Sequence, residues 1–128
     1  MRPILASLLL LTATPAAAQT DWSHARTVEV RLSNFDFTPQ EVRLPGGQPV
    51  VLRLVNTANG GHNFAAPQFF AAARIQPGDA ARVDRGRVEV GRGQSVELHL
   101  VPARGRYPLR CTHTLHTTFG MSGEIVVD

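Results

Sequence analysis

Gly105-Arg-Tyr107-Pro-Leu-Arg-Cys111-Thr-His113-Thr-Leu-His116-Thr-Thr-Phe119-Gly120-Met121-Ser-Gly123-Glu-Ile125-Val-Val127 closes a chain of 128 residues. This stretch holds the single cysteine, two of the five histidines and one of the two methionines. Its ends read as strands: Tyr107 to Cys111 follows a turn at Pro102 to Gly105, and Gly123 to Val127 is β-branched and apolar. Between them the spacing is C-x4-H-x4-M, which puts a thiol, an imidazole and a thioether on one loop. These are soft or borderline donors, suited to a transition metal held at one end of a β-sheet scaffold.

Working back toward the N-terminus, the same β pattern recurs. Val28, Val30 and Leu32 alternate with Glu29 and Arg31, and Val42 and Leu44 precede the turn Pro45-Gly46-Gly47. Val50, Leu52 and Leu54 form an inward row around Arg53. Val88 and Val90 precede Gly91-Arg-Gly93, and Val96, Leu98 and Leu100 alternate with Glu97 and His99. Seven to eight short strands with turns at regular intervals predict an all-β, Greek-key antiparallel β-sandwich. The exception is Pro67 to Ala73, PQFFAAA, where one or two helical turns are predicted and Phe69 and Phe70 are packing residues.

Residues 1–18 differ in kind. Arg2 precedes the apolar run Ile4 to Leu11, and Ala16-Ala-Ala18 stands before Gln19, the pattern of a secretory signal peptide. The run is short of the roughly 20 apolar residues that span a bilayer. Residues 19–128 then form one domain of 110 residues, exported to the periplasm or secreted. Every basic residue is arginine, and after the leader twelve arginines face ten carboxylates. The resulting charge of +2 argues against a nucleic-acid partner. A small exported domain commonly relies on disulfides, yet with one cysteine no intramolecular bridge can form. An unprotected thiol in an oxidising compartment is open to oxidation, so Cys111 needs a protecting partner.

A metal is such a partner. Thiolate, imidazole and a weak thioether are three of the four ligands of a blue-copper site, whose His2Cys plane needs a second imidazole. His62 is the candidate, because it follows the Gly-rich loop Asn56 to Gly61 at a strand end. His113 lies two residues after Cys111 and could compete for the metal, with a place beside the ligands or in solvent favoured over ligation. His99 is out of phase with its apolar neighbours and is predicted to be solvated. His24 is sixth from Gln19, and an amino-terminal copper motif would need it third.

These residues resemble the cupredoxins, the type 1 blue copper proteins such as plastocyanin, pseudoazurin and azurin. The likeness covers roughly Val28 to Val127 and is strongest at G-x-Y-x3-C (Gly105, Tyr107, Cys111) and G-M-x-G-x-I (Gly120, Met121, Gly123, Ile125). It implies one copper ion with His62 and His116 as equatorial nitrogen ligands, Cys111 as thiolate and Met121 as axial thioether. It also implies that Asn63 ties the two ligand-bearing loops together. The loop departs from plastocyanin-like spacing between Cys and His, and from azurin-like spacing before Met.

Absent features narrow the function. Multicopper oxidases flank the type 1 cysteine with histidines, whereas Arg110 and Thr112 stand here. There is no second cysteine for a binuclear copper centre, and no phosphate loop or H-E-x-x-H helix. With four protein ligands no coordination position is left for substrate, which points to a non-enzyme. The resemblance implies a monomeric single-electron carrier meeting redox proteins, such as a c-type cytochrome or a copper enzyme, transiently. Its exit would be the edge of His116 within an apolar patch expected to contain Leu115, Phe119 and Phe64. The alternative is copper sequestration, delivery or resistance. One methionine after the leader is few for a dedicated copper buffer.

Overall fold

The computed structural model describes residues 9–11, 19–113 and 120–128. Residues 1–8 and 12–18, within the expected leader, and 114–119, which include Leu115, His116 and Phe119, lie outside the described residues. In chain order the described elements are β1 (Arg26–Ser33), β2 (Asp36–Thr38), β3 (Glu41–Leu44), β4 (Val50–Asn56), β5 (His62–Ala65), α1 (Pro67–Ala72), β6 (Arg74–Ile75), α2 (Pro77–Ala80), β7 (Arg87–Val90), β8 (Ser95–Val101), β9 (Gly105–Arg110) and β10 (Ser122–Val127). Each alternating run read from the sequence is a strand. The short β2, β6 and α2 carry no periodicity long enough to be read in advance.

Two five-stranded sheets face each other, ordered β2-β1-β4-β8-β6 and β3-β10-β9-β5-β7. The expectation of a purely antiparallel sandwich needs correction, because β1 runs parallel to β4 and β3 parallel to β10. The cause is the path of the chain. After the β1–β2 hairpin it crosses to the second sheet as β3 and returns to the first as β4, so β4 lies beside β1 in the same direction.

The inward rows close the core. Val30, Leu32, Leu52, Leu54, Leu98 and Leu100 of the first sheet meet Phe64, Val88, Val90, Leu109, Ile125 and Val127 of the second, all buried. Each such side chain contributes about 1.5–3 kcal/mol on leaving water. The helical turn α1 seats Phe69 and Phe70 against this core, as the sequence predicts. An aromatic chain then runs Phe37, Phe64, Phe70, Phe69 and Tyr107, with successive ring centroids 5.2–6.0 Å apart.

Two glycines of the G-x-Y and G-M-x-G motifs have steric reasons. Gly105 has φ +152°, and a Cβ there would lie 3.0 Å from the Tyr107 ring. The ring folds back so that its hydroxyl donates to the Ala103 carbonyl at 2.8 Å. At Gly123 a Cβ would collide with the Gln40 carbonyl oxygen, which accepts the Glu124 N–H at 2.9 Å and joins β10 to the start of β3.

His99 departs from the expected solvated residue. Its side chain is one-third exposed, its ring sits edge-on to Trp22 at 5.4 Å, and its Nδ1 lies 2.8 Å from Asp79 Oδ2. The same oxygen accepts the His99 backbone N–H at 2.8 Å, fastening α2 to β8. Burial works against the Asp79 charge. The bonds from the His99 backbone and ring, with the positive charges of His99 and Arg82, nevertheless hold its pKa below the ordinary 3.8. A carboxylate with a depressed folded pKa contributes stability above its unfolded pKa, and that contribution is lost as pH falls through the folded value. Asp79→Ala is therefore expected to cost about 1–3 kcal/mol at neutral pH, as a charged acceptor is removed from a part-buried N–H. In urea melts from pH 6 to pH 2 the difference from wild type should shrink below about pH 4. A difference that stays constant to pH 2 would rule out the carboxylate as its source.

Candidate metal centre

The site is the last layer of the core. In β9 and β10 the inward positions pair as Tyr107 with Ile125 and Leu109 with Gly123. One step further are Cys111 and Met121, where the Cys111 N–H donates to the Met121 carbonyl at 3.1 Å. His62 stands likewise two residues before the inward Phe64 of β5. Period-two alternation thus carries three rows of core side chains to one pole, ending each in a donor atom.

His62, Cys111 and Met121 are each at most 1% exposed and contact one another. His62 Nδ1 lies 3.8 Å from Cys111 Sγ, and the Asn63 backbone N–H points to the same sulfur at 3.5 Å. Imidazole nitrogen, thiol and thioether in a dry pocket suit copper among the transition metals. Among the described residues no group of three or more His, Cys, Asp or Glu converges, so this nitrogen–sulfur set stands apart from a carboxylate site. The structure brings together three of the four residues expected from the sequence. The fourth, His116, lies outside the described residues.

Asn56 and Asn63 set the loops. The buried Asn56 side chain donates to the Gly60 and Val90 carbonyls, both at 2.9 Å, and accepts the Ala58 N–H at 2.8 Å. It shapes the Gly-rich turn and ties it to β7, opposite His62. The Asn63 amide oxygen accepts the Thr112 N–H at 2.8 Å, and its nitrogen donates to Thr112 Oγ1 at 2.7 Å and Glu89 Oε1 at 3.0 Å. Asn63 therefore joins the His62 strand to the Cys111 loop, as the resemblance implied.

His113 lies beside the donors. Its ring is stacked on His62 at 6.4 Å and 16°, and its Nε2 is 3.0 Å from Glu89 Oε2. Burial opposes the Glu89 charge, but bonds from Asn63 and His113 and the charges of His113 and Arg87 hold its pKa below the ordinary value. Phe64 corrects the expected surface patch: it is wholly buried, packed edge-on to Phe37 and Phe70. Being two residues from an inward histidine, it shares the inward face. Sequence reasoning missed Asn56 and Glu89. The position of Asn56 at a strand end before an Asn/Gly turn was a usable signal, whereas Glu89 faces Asn63 only through the register of β5 and β7.

Comparison with known proteins agrees with this fold. The profile of the cupredoxin-like domain family matches residues 3–127. Dithionite-reduced auracyanin from the photosynthetic bacterium Roseiflexus castenholzii superposes with TM-score 0.60 at 23% identity, over 81% of this chain and 98% of that one. Auracyanin B gives TM-score 0.58 at 24% identity, covering 92% and 93%. The multicopper oxidase McoA of the hyperthermophile Aquifex aeolicus gives 0.65 at 14%, covering 89% of this chain but 32% of that one, so the fold also occurs within an enzyme. No curated protein matches by sequence. The family profile spans nearly all of the chain, and the fold is a two-sheet sandwich with a buried His, Cys and Met at one pole: the chain belongs to the cupredoxin-like domain family.

Proposed function

We propose that the chain is a periplasmic or secreted single-electron carrier, with one type 1 copper held by His62, Cys111, His116 and Met121. The observation that carries this reading is the wholly buried trio of His62, Cys111 and Met121, with Nδ1 and Sγ 3.8 Å apart. Copper bound there supplies a reversible one-electron couple between Cu(I) and Cu(II). The protein's part is to keep water out and to hold the donors nearly fixed. Burial does the first. The Asn63 N–H to sulfur bond and the Asn63–Thr112 bridge do the second, with the two sheets as their rigid support. Little rearrangement then accompanies a change of charge.

Residues 1–18 serve as the export signal and 19–128 as the single working domain. No helix among the described residues is long and apolar enough to cross a membrane. Arg110 and Thr112 beside Cys111 support a carrier rather than an oxidase, since they offer no ligand to a neighbouring copper cluster. The domain acts as a monomer meeting a redox protein, such as a c-type cytochrome or a copper enzyme, through a small transient interface around His116.

The test is the visible spectrum with Cu(II), before and after ascorbate, followed by stopped-flow reduction by a c-type cytochrome. Wild type should be intensely coloured, bleach on reduction and exchange electrons rapidly. Met121→Gln, replacing the thioether by a harder oxygen, should lower the potential by about 59 mV for each tenfold gain in preference for Cu(II). Leu115→Asp or Phe119→Asp should slow exchange and leave the spectrum unchanged. A redox-inert protein whose loss alters only copper tolerance would overturn the carrier reading in favour of copper sequestration, delivery or resistance.

A further inference from the structure

The ladder between β5 and β9 is short. Its register pairs only Ala65 with Arg110, and the ladder is not continued toward the pole, where His62 and Cys111 stand. Side chains take over from the ladder there. Asn63 spends every polar atom of its amide: the oxygen on the Thr112 N–H, one N–H on Thr112 Oγ1 and the other on Glu89 Oε1. Glu89, directly opposite Asn63 on β7, uses its second oxygen on His113 Nε2. One carboxylate on the outermost strand of its sheet thus grips both the strand that carries His62 and the loop that carries Cys111.

We propose that Glu89 is a positioning residue for the metal pole, a clasp that sets the separation of His62 and Cys111 through Asn63 and His113. This deepens the copper reading and rests on it. Three features support a specific role. The two oxygens go to two different ligand-bearing segments. The Asn63 N–H that Glu89 accepts is the one left over by Thr112, so without Glu89 the amide has a part-buried donor with no partner. The His113 ring that Glu89 fixes is stacked on His62 and lies 3.7 Å from where a Cβ on Gly61 would stand, so its place bears on the turn that delivers His62. Loss of such supporting hydrogen bonds around metal ligands commonly costs about 10–100-fold in affinity.

The test compares Glu89→Ala, Glu89→Gln and Tyr107→Phe. The last loses the hydroxyl bond to Ala103 at the pole remote from the ligands and serves as a control for general destabilisation. In the metal-free protein, hydrogen exchange of the Thr112 amide should speed up at least tenfold in Glu89→Ala and much less in Tyr107→Phe. With copper, Glu89→Ala should release the metal to a chelator about 10–100-fold faster and shift or broaden the thiolate-to-copper band. Glu89→Gln should restore most of both, because its oxygen can still accept from Asn63 and its amide keeps the reach of the carboxylate to the His113 ring. Thr112 exchange and a copper band that match those of Tyr107→Phe would overturn the clasp. A wild type that takes up no copper, while Thr112 exchange still responds to Glu89, would overturn the copper reading and leave the clasp standing.

Discussion

Cys111→Ser is expected to leave the copper-loaded protein colourless and to weaken copper binding by well over the 100-fold that loss of a supporting bond brings. A serine hydroxyl stays protonated at neutral pH where a thiol can ionise, and the visible band belongs to charge transfer from thiolate sulfur. The backbone N–H of residue 111 keeps its bond to the Met121 carbonyl, so the ends of β9 and β10 should stay joined. The buried hydroxyl costs about 1–3 kcal/mol in a pocket lined by His62 and Met121, which a domain of this size should survive. The checks are the visible spectrum, a competition titration with a copper chelator, and a circular dichroism melt of the metal-free variant. A coloured Cys111→Ser protein would remove the thiolate from the site. An unfolded one would be replaced by Cys111→Ala, which leaves no hydroxyl to bury and should be equally colourless.

Phe64→Ala should be the most destabilising single change outside the proposed ligands. The ring is wholly buried, touches Phe37 and Phe70 edge-on and sits between His62 and the start of α1. Truncation of a buried phenylalanine costs about 3–5 kcal/mol, and each aromatic pair adds about 0.5–1.5 kcal/mol beyond area. Against a total stability of about 5–15 kcal/mol, the melting temperature should fall on the order of 15 °C or more. Phe64→Leu, which refills most of the space, should recover more than half of the loss. Melting of the metal-free proteins measures this directly. An unchanged melt, combined with slowed electron exchange, would mean that Phe64 faces a partner rather than the core.

The sequence determined a great deal by local pattern. Period-two rows such as Val28-Val30-Leu32 and Val96-Leu98-Leu100 mark strands, because a half-buried strand repeats its environment every second residue. Cys111 and Met121 were legible because reactive sulfur is scarce in this chain, and both lie on one short loop. The helical turn expected over Pro67 to Ala73, and found over Pro67–Ala72, was legible from its alanines and adjacent phenylalanines. The glycines at 105 and 123 were legible as motif positions, although their causes, the Tyr107 ring and the Gln40 carbonyl, belong to the fold.

What only the tertiary structure decided depends on pairing between distant segments. The parallel neighbours β1 and β4, and β3 and β10, follow from two crossings between sheets, and alternation reads the same whichever way a neighbour runs. Phe64 looked available for a surface because β5 has only four residues, too short a run for the sequence to show its alternation, and the structure buries all four. His99 looked solvated because its partner Asp79 is twenty residues away on another element. Glu89 had no signature at all: a glutamate alternating with valines is the commonest sight on an exposed strand face. Only the register that sets it opposite Asn63, with His113 arriving from the Cys111 loop, turns it into a bridge, because side-chain bonds depend on distances in space that the order of residues does not contain.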